Sequence, residues 1–196
     1  MKLIIIAGMP ASGKSTLARK IGKAFGFPVL EKDELKEALF DTIGFTCYAE
    51  KRRHDTAANA VLMRCTEALL KSGTSAIVVN NFRSDMQKPL QELIDRYDCS
   101  VVTLFLDGDH DVFYRRYVER DNKHLRHLGH VLQEHYPPRE GDSLDYEMTR
   151  EEFSEKFEKL GMAELELRGK RILIDATWPE KMDVEQVIRE IESAFE

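Results

Sequence analysis

Apolar positions along the chain fall into short continuous runs separated by stretches with helical periodicity. The runs at 76–79 and 101–106 are almost unbroken, as is typical of central parallel strands buried on both faces. The pattern predicts strands at residues 2–7, 28–31, 75–80, 100–106 and 171–175. It predicts helices near residues 14–25, 33–43, 51–72, 86–97, 110–122, 150–160 and 183–195. This alternation predicts a three-layer α/β fold with a parallel sheet and right-handed crossovers.

Residues at the ends of the predicted helices support these boundaries. Asp109 and Asp183 precede helices and are typical N-caps. Gly26 and Gly73 follow helices and are typical helix stops.

The chain of 196 residues has the size of one domain with a substantial core, so we expect 1–196 to fold as a single unit. Its least regular stretch, about 121–149, lies between the fourth and fifth predicted strands and is rich in His, Arg, Gly and Pro. Long loops in compact domains often have a function, and a lid is expected here.

Net charge and hydropathy limit the kinds of partner that the protein is expected to bind. The net charge of −6 argues against general affinity for nucleic acids or membrane surfaces, although one local basic site is compatible with it. The longest apolar runs are only as long as strands, and no secretory signal is apparent. The three cysteines are widely spaced and match neither a disulfide framework nor a metal pattern. We therefore expect a cytoplasmic protein with no membrane partner.

The most specific motif follows the first predicted strand. Residues 8–15 read Gly-Met-Pro-Ala-Ser-Gly-Lys-Ser, which is the P-loop pattern Gly-x-x-x-x-Gly-Lys-Ser, and a predicted helix begins at once. The glycines allow a tight turn whose N–H groups form a nest for a phosphate, and the helix N-terminus adds positive charge. The lysine reaches the β- and γ-phosphates, and the serine hydroxyl binds Mg²⁺. We expect a nucleoside triphosphate to contact Gly8, Pro10, Ala11, Ser12, Gly13, Lys14, Ser15 and Thr16, with Ser15 as the metal ligand.

Asp33 directly follows the second predicted strand. Ligands of open α/β sheets bind beyond the carboxyl ends of the strands, so Asp33 could face the group that receives the γ-phosphate. A carboxylate in this position could accept the proton of an attacking hydroxyl. Alternatively, Asp33 only caps the following helix, and the two roles are compatible.

Asn80, Asn81 and Arg83 follow the third predicted strand. Many P-loop enzymes have an aspartate here that holds Mg²⁺ directly or through water. The asparagine carbonyls could orient a metal-bound water or a substrate hydroxyl, or they could satisfy the backbone at the strand end. Arg83 could bind an acidic group of the substrate, and a solvated surface arginine is the alternative. We expect Asp33, Asn81 and Arg83 to contact the substrate.

Arg116 and Arg120 lie one turn apart on the helix after the fourth strand, hence on one face. The basic zone continues with Arg115, Lys123, His124, Arg126, His127, His130, His135 and Arg139. Arginines brought in by a closing lid would stabilise the charge of phosphoryl transfer and exclude water, and this is the expected role. One alternative is a solvated helix face paired with acidic residues. Another is a zinc site, but the histidines lack a cysteine partner or a His-Glu-x-x-His frame.

Together these residues resemble the small P-loop kinase superfamily. The similarity is greatest to the ATP-binding "AAA domain, kinase-like" proteins, which are related to polynucleotide 5′-hydroxyl kinases, zeta-toxin-type kinases and chloramphenicol phosphotransferase. The marks of the resemblance are residues 8–16, 32–40, 81–83, 116 with 120, and 126–130. It implies a five-stranded parallel sheet of order 2-3-1-4-5 and the use of ATP and Mg²⁺. It also implies that Lys14, Asp33, Arg116 and Arg120 are catalytic, with Asp33 as general base and the two arginines on ATP.

The resemblance implies transfer of the γ-phosphoryl group to a hydroxyl. A small acceptor such as a nucleoside, sugar or antibiotic suits an acidic protein whose basic zone is needed for ATP. A nucleic-acid 5′-end is an alternative, because an end-specific kinase needs only a short basic channel. A P-loop ATPase or a binding protein without an acceptor is another, because Asn80 stands where relatives often have a carboxylate. Asp33 or Asp107 could replace that group near the metal.

Overall fold

The computed structural model describes residues 1–144, 148–159, 161 and 165–196. Its strands are β1 (Lys2–Gly8), β2 (Val29–Glu31), β3 (Ala76–Val79), β4 (Ser100–Asp107) and β5 (Lys170–Asp175). Its helices are α1 (Lys14–Phe25), α2 (Lys32–Ile43), α3 (Tyr48–Lys71), α4 (Ser84–Arg96), α5 (His110–Asn122), α6 (Leu128–Val131), α7 (Arg150–Glu158) and α8 (Val184–Ala194). Every strand and helix predicted from the apolar pattern is present, and α6 is additional. Over the described residues, no helix is long and apolar enough to cross a membrane.

The five strands form one parallel sheet in the order β2-β3-β1-β4-β5, which confirms the order that the resemblance implied. β1 is central, and its Ile4 lies beside Ile77 of β3 and Val102 of β4. The carboxyl ends of parallel strands lie at one edge of the sheet. The segments that follow β1, β2 and β3 therefore meet there, and these segments carry the P-loop, Asp33 and Asn80.

Both faces of the sheet are buried. Successive side chains of a strand point to opposite faces. On one face, Ile4 and Ile6 pack in a cluster with residues of α1, α5 and α8. On the other face, Leu3, Ile5 and Ala7 pack with residues of α3 and α4. All five side chains are fully buried, which confirms the predicted three-layer architecture.

Both ends of α3 differ from the prediction, and at its start the difference is due to hydrogen bonds of a polar side chain. α3 begins at Tyr48, three residues before the predicted start. The Glu50 carboxylate accepts hydrogen bonds from the backbone N–H (2.7 Å) and the hydroxyl (2.8 Å) of Thr46, which closes the first turn. The spacing of apolar residues, from which the helix start was predicted, does not reveal a hydrogen bond of this kind. At the other end, Ser72 is the C-cap of α3, so the predicted stop Gly73 lies one residue farther on.

Three of the predicted helix ends are confirmed. Gly26 ends α1 in the left-handed conformation (φ 68°). The Asp109 carboxylate accepts hydrogen bonds from the N–H groups of Asp111 (2.8 Å) and Val112 (3.2 Å) at the start of α5. Asp183 accepts one from Gln186 (2.9 Å) at the start of α8. The predicted end of α7 at residue 160 lies outside the described residues.

Replacement of Asp109 by alanine should lower the free energy of unfolding by about 1 kcal/mol, because two N–H groups of α5 lose their acceptor. Urea unfolding followed by circular dichroism measures this change. Asp109→Ser keeps a capping oxygen and should retain most of the stability. Equal losses in both variants would contradict the capping role.

Candidate active site

The P-loop packs closely against β4. Gly8 has a φ of 131°, and a Cβ at this position would lie 2.1 Å from the carbonyl oxygen of Leu106. The N–H of Met9 donates to the same oxygen at 3.2 Å. No side chain fits at Gly8 unless β4 moves, so packing as well as the turn requires this glycine.

The start of α1 fits an anionic group. Its N-cap is Gly13, so no side chain caps the helix. Uncapped amides and the helix dipole together form a phosphate-binding site. The buried hydroxyl of Ser12 makes no hydrogen bond to any described residue. Residues 8–16 therefore fit the phosphate chain that the motif predicts.

Lys14 is a cation in an unfavourable environment. Its ammonium group donates hydrogen bonds to the carbonyl oxygens of Gly8 (3.0 Å) and Met9 (2.7 Å). Burial lowers the pKa of Lys14 to about 7; Asp33 opposes this shift, and the nearby arginines Arg120 and Arg126 add to it. An anionic ligand would restore the ordinary preference of this amine for its charged form.

Asp33 lies in the first turn of α2 between two cations. Its carboxylate is 3.2 Å from Nζ of Lys32 and 3.2 Å from Nη2 of Arg126. Burial would raise the pKa of Asp33, but these cations outweigh it and hold the pKa well below its usual range. The side chain is 48% exposed, so a ligand can still reach it. α2 begins before Asp33 and its N-cap is Glu31, so the alternative that Asp33 caps the helix is wrong.

Two cavities meet at Asp33. The smaller one lies beside the P-loop and is lined by Lys14 and Ser15. The larger one, named the basic cleft here, is lined by Arg83 and by residues of α2, α3 and α7. Asp33 and Asn81 line both cavities. The predicted substrate residues Asp33, Asn81 and Arg83 therefore share one cleft next to the P-loop.

α3 supplies an acidic residue that the sequence analysis missed. Oδ1 of Asp55 accepts hydrogen bonds from Lys32 (2.7 Å) and Lys36 (2.9 Å), and Oδ2 lies 4.0 Å from Arg83. Burial would raise the pKa of Asp55, but the two lysines hold it far below its usual range. Asp55 thus fixes two lysines of α2 at the edge of the basic cleft.

A spacing in the sequence could have revealed this face of α3. Lys51, Asp55 and Asn59 are four residues apart and therefore lie on one side of the helix. All three line the basic cleft. A polar row of this kind on a helix that packs against a sheet indicates a ligand-facing surface.

Asn80 bonds to neighbouring residues at the end of β3, which is one of the two alternatives considered for it. Its side-chain amide donates to Oδ1 of Asn59 (2.9 Å), and its Oδ1 accepts the N–H of Asn81 (2.8 Å). Both groups of the Asn80 amide are therefore engaged with neighbouring residues.

Arg116 and Arg120 share a face of α5 but reach different places. Arg116 donates to the carbonyl oxygens of Ala176 (3.1 Å) and Thr177 (2.5 Å) in the loop after β5. Nε of Arg120 lies 3.2 Å from Oδ1 of Asp121. The structure therefore places Arg120, and not Arg116, in the ionic network that includes Asp33.

Asp121 is the centre of this network and is fully buried. Its Oδ2 lies 3.8 Å from Nη1 of Arg126, whose other nitrogen contacts Asp33. Oδ2 of Asp121 and Nη2 of Arg120 make no hydrogen bond to the described residues. A chain of alternating charges thus runs from Arg120 through Asp121 and Arg126 to Asp33. Arg126 was predicted to belong to the basic zone, but its place in this network was not predicted.

Residues 126–136, named the docked segment here, lie against α2, from the contact of Arg126 with Asp33 to the hydrogen bond of Tyr136 with Asp41. They belong to the predicted lid, of which residues 145–147 lie outside the described residues. His127 contacts Asp41 (3.0 Å), and His130 contacts Glu37 (2.9 Å). Each of these histidines pairs with a carboxylate. Among the described residues, no three His, Cys, Asp or Glu side chains are grouped to hold a metal ion.

Phe40 of α2 forms the apolar centre of this contact. Its ring is fully buried and packs with the rings of Phe45, His127 and Tyr136. Gly129 lies directly on the ring, and a Cβ there would be 2.3 Å from Cδ2 of Phe40. The docked segment can approach α2 this closely only because residue 129 has no side chain.

Gly129→Ala should therefore lower the free energy of unfolding by about 1–3 kcal/mol, the usual cost of overpacking. Urea unfolding measures the change, with Phe40→Leu and the double variant completing a cycle. Leucine is smaller than phenylalanine, so Gly129→Ala should reduce the free energy of unfolding less in the Phe40→Leu background. The difference between the two reductions is the coupling energy of the two sites. Additive losses would show that the two residues do not clash.

Comparisons with known proteins agree with this fold. A family model described as an AAA domain matches residues 3–138. A candidate kinase from Chloroflexus aurantiacus J-10-fl aligns with 100% of this chain and 98% of its own, at 26% identity and a TM-score of 0.83. A sugar kinase from Janibacter sp. HTCC2649 aligns with 100% of this chain and 94% of its own, at 19% identity and a TM-score of 0.59. Shikimate kinase from Bacteroides thetaiotaomicron aligns with 99% of this chain and 98% of its own, at 15% identity and a TM-score of 0.55. The chain therefore belongs to this AAA domain family and has the nucleotide-binding fold of the small P-loop kinases.

Proposed function

We propose that this protein is an ATP- and Mg²⁺-dependent phosphotransferase that moves the γ-phosphoryl group to a hydroxyl of a small molecule. The observation that carries the proposal is that Asp33 lines both cavities, so one carboxylate borders the P-loop and the basic cleft. Transfer between two bound molecules requires a group at such a junction. The names sugar kinase and shikimate kinase, borne by two proteins of this fold, agree with a small acceptor.

The P-loop would hold the nucleotide. The N–H groups of residues 8–16 would bind the phosphates, Lys14 would reach the β- and γ-phosphates, and the Ser15 hydroxyl would bind Mg²⁺. Bound ATP with Mg²⁺ supplies an activated phosphoryl group. Arg120 and Arg126 lie close enough to influence Lys14 electrostatically and would stabilise negative charge on the phosphates. Arg116 would join them only after it releases the carbonyls of Ala176 and Thr177.

Asp33 would orient the attacking hydroxyl by accepting its hydrogen bond, and would then take its proton. Because Lys32 and Arg126 hold the pKa of Asp33 well below its usual range, the carboxylate is ionised but is a weak base. Phosphoryl transfer proceeds through a loose transition state, and catalysis relies mainly on positioning and charge. A carboxylate that stays ionised and is held between two cations suits this task.

Asp33→Asn should reduce phosphoryl transfer by about 10²–10⁴-fold, because the amide cannot accept the proton. The label of γ-labelled ATP is followed on nucleosides, sugars, hydroxy acids, aminoglycoside and phenicol antibiotics, and 5′-hydroxyl oligonucleotides. The exposed neighbour Glu34 gives the matched control, since Glu34→Gln should keep the full rate.

Other outcomes of the same screen point to other functions. An undiminished rate in Asp33→Asn would contradict the role of Asp33. Label released only as inorganic phosphate, whatever acceptor is added, would favour an ATPase. Label on the oligonucleotide alone would favour a polynucleotide 5′-hydroxyl kinase.

Binding of ADP with Mg²⁺ at about pH 8 should take up about one proton, because Lys14 with a pKa of about 7 is then mostly neutral. Phosphate oxygens favour the charged amine and raise its pKa, so the nucleotide affinity should fall as the pH rises above 7. Calorimetric titration in two buffers of different ionisation enthalpy measures the proton uptake. Lys14→Arg stays charged and should abolish it. An unchanged uptake in Lys14→Arg would assign the proton to another group.

A further inference from the structure

The basic cleft beside Asp33 has an unusual balance of charge. Seven cationic side chains line it, but only two carboxylates do, those of Asp33 and Asp55. The whole chain carries a net charge of −6, so positive charge is concentrated in this cleft.

Some of these cations form ion pairs with carboxylates of the protein itself. Asp55 is paired with Lys32 and Lys36, and Asp33 is paired with Lys32 and Arg126. The second oxygen of Asp55 also lies 4.0 Å from Arg83. Both carboxylates in the cleft are therefore already engaged, by four of its seven cations.

Three cations remain without a carboxylate partner among the described residues, namely Lys51 and Arg52 of α3 and Lys156 of α7. Arg52 and Lys156 are exposed at the rim of the cleft. Lys156 is 5.7 Å from the ring centroid of Phe157, and no ion pair joins it to a described residue. Like charges held together without counter-ions repel each other, and an anionic ligand would relieve that repulsion.

Lys51 is the strongest indication of a ligand. Lys51 is buried, with 6% of its surface exposed, and within the described part of the chain its ammonium donates hydrogen bonds to the backbone oxygens of His130 (2.8 Å) and Leu132. Burial lowers the pKa of Lys51 to about 7, and the nearby cations Lys36 and Arg126 lower it further. An ammonium group has three donors, and the two backbone oxygens take two of them. The ammonium also lies 5.7 Å from the ring centroid of Phe45, but this contact brings no carboxylate, so an anionic ligand would supply the missing counter-charge.

We infer that the acceptor is a small hydroxylated anion whose carboxylate or phosphate group is bound by Lys51, Arg52 and Lys156 while its hydroxyl faces Asp33. This inference rests on the proposed function and specifies the class of substrate. A small molecule is favoured over a polynucleotide because the docked segment and α7 enclose the cleft, through His130, Gln133 and Phe157. Each member of the acidic class offers the oxygen acceptors that lysine and arginine bind.

The test compares acidic acceptors with neutral ones. Gluconate is compared with sorbitol, and glucose 6-phosphate with glucose. The first pair tests recognition of a carboxylate and the second tests recognition of a phosphate. Transfer to at least one acid should exceed transfer to its neutral partner. Arg52→Gln should lower kcat/KM for that acid about tenfold, mainly through KM, and should leave the neutral acceptor unaffected.

Arg53 provides the matched control. It is the next residue on α3 and is also exposed, but it lines a different cleft, with His135 and Tyr136. Arg53→Gln removes the same charge and should leave the preference for acids unchanged. If both variants lost the preference equally, general electrostatics would explain it and the inference would be overturned.

A binding measurement separates this inference from the proposed function. Calorimetric titration of each acid and each neutral partner into the full chain with ADP and Mg²⁺ requires no turnover. Binding of an acid that weakens in Arg52→Gln but not in Arg53→Gln would support the inference even if no transfer occurred. Absence of binding by both acids, or equal use of neutral acceptors, would overturn it while leaving phosphoryl transfer intact. A preference for 5′-hydroxyl oligonucleotides that is lost in Arg52→Gln would also overturn it.

Discussion

The ion pair between Asp33 and Arg126 connects the two sides of the site, because it joins α2 to the buried ionic network of α5. Asp33 belongs to α2, whereas Arg126 lies in the docked segment and also reaches the buried Asp121 of α5. Without Arg126, the carboxylate of Asp121 would keep one ion-pair partner among the described residues, Arg120. Removal of one partner from a buried ion pair is costly, so this pairing stabilises the contact between α2 and the docked segment as well as forming part of the site.

The site also shows how burial and charge together prepare side chains for anions. Lys14 and Lys51 lie on different elements, yet burial lowers the pKa of each to about 7. Asp33 and Asp55 have the opposite surroundings, because adjacent lysines outweigh the effect of burial on their pKa values. The site thus keeps these two carboxylates charged and leaves these two buried amines poorly compensated. A site with this imbalance favours ligands that bring negative charge with them.

The sheet and the P-loop could be predicted because their signals are local. An unbroken apolar run such as 101–106 indicates a buried strand, and the glycine spacing of the P-loop lies within eight residues. Strand order came from the family resemblance, since periodicity does not say which strands are neighbours. The pairing of Arg126 with Asp33 spans 93 residues, so no local pattern reveals it. Helical spacing put Arg116 and Arg120 on one face, but their long side chains turn to different partners. Their predicted roles, like that of Lys14, remain predictions.

The two hydrogen bonds of Lys51 to the docked segment have a thermodynamic consequence. The same ammonium group holds the backbone at His130 and Leu132 and borders the cleft where the acceptor would bind. Any ligand that changes the charge or position of Lys51 must therefore change the stability of docking. By linkage, docking must change the affinity for that ligand by the same factor. Recognition of the acceptor and closure of the cleft are then one coupled equilibrium, in which a single side chain takes part in both.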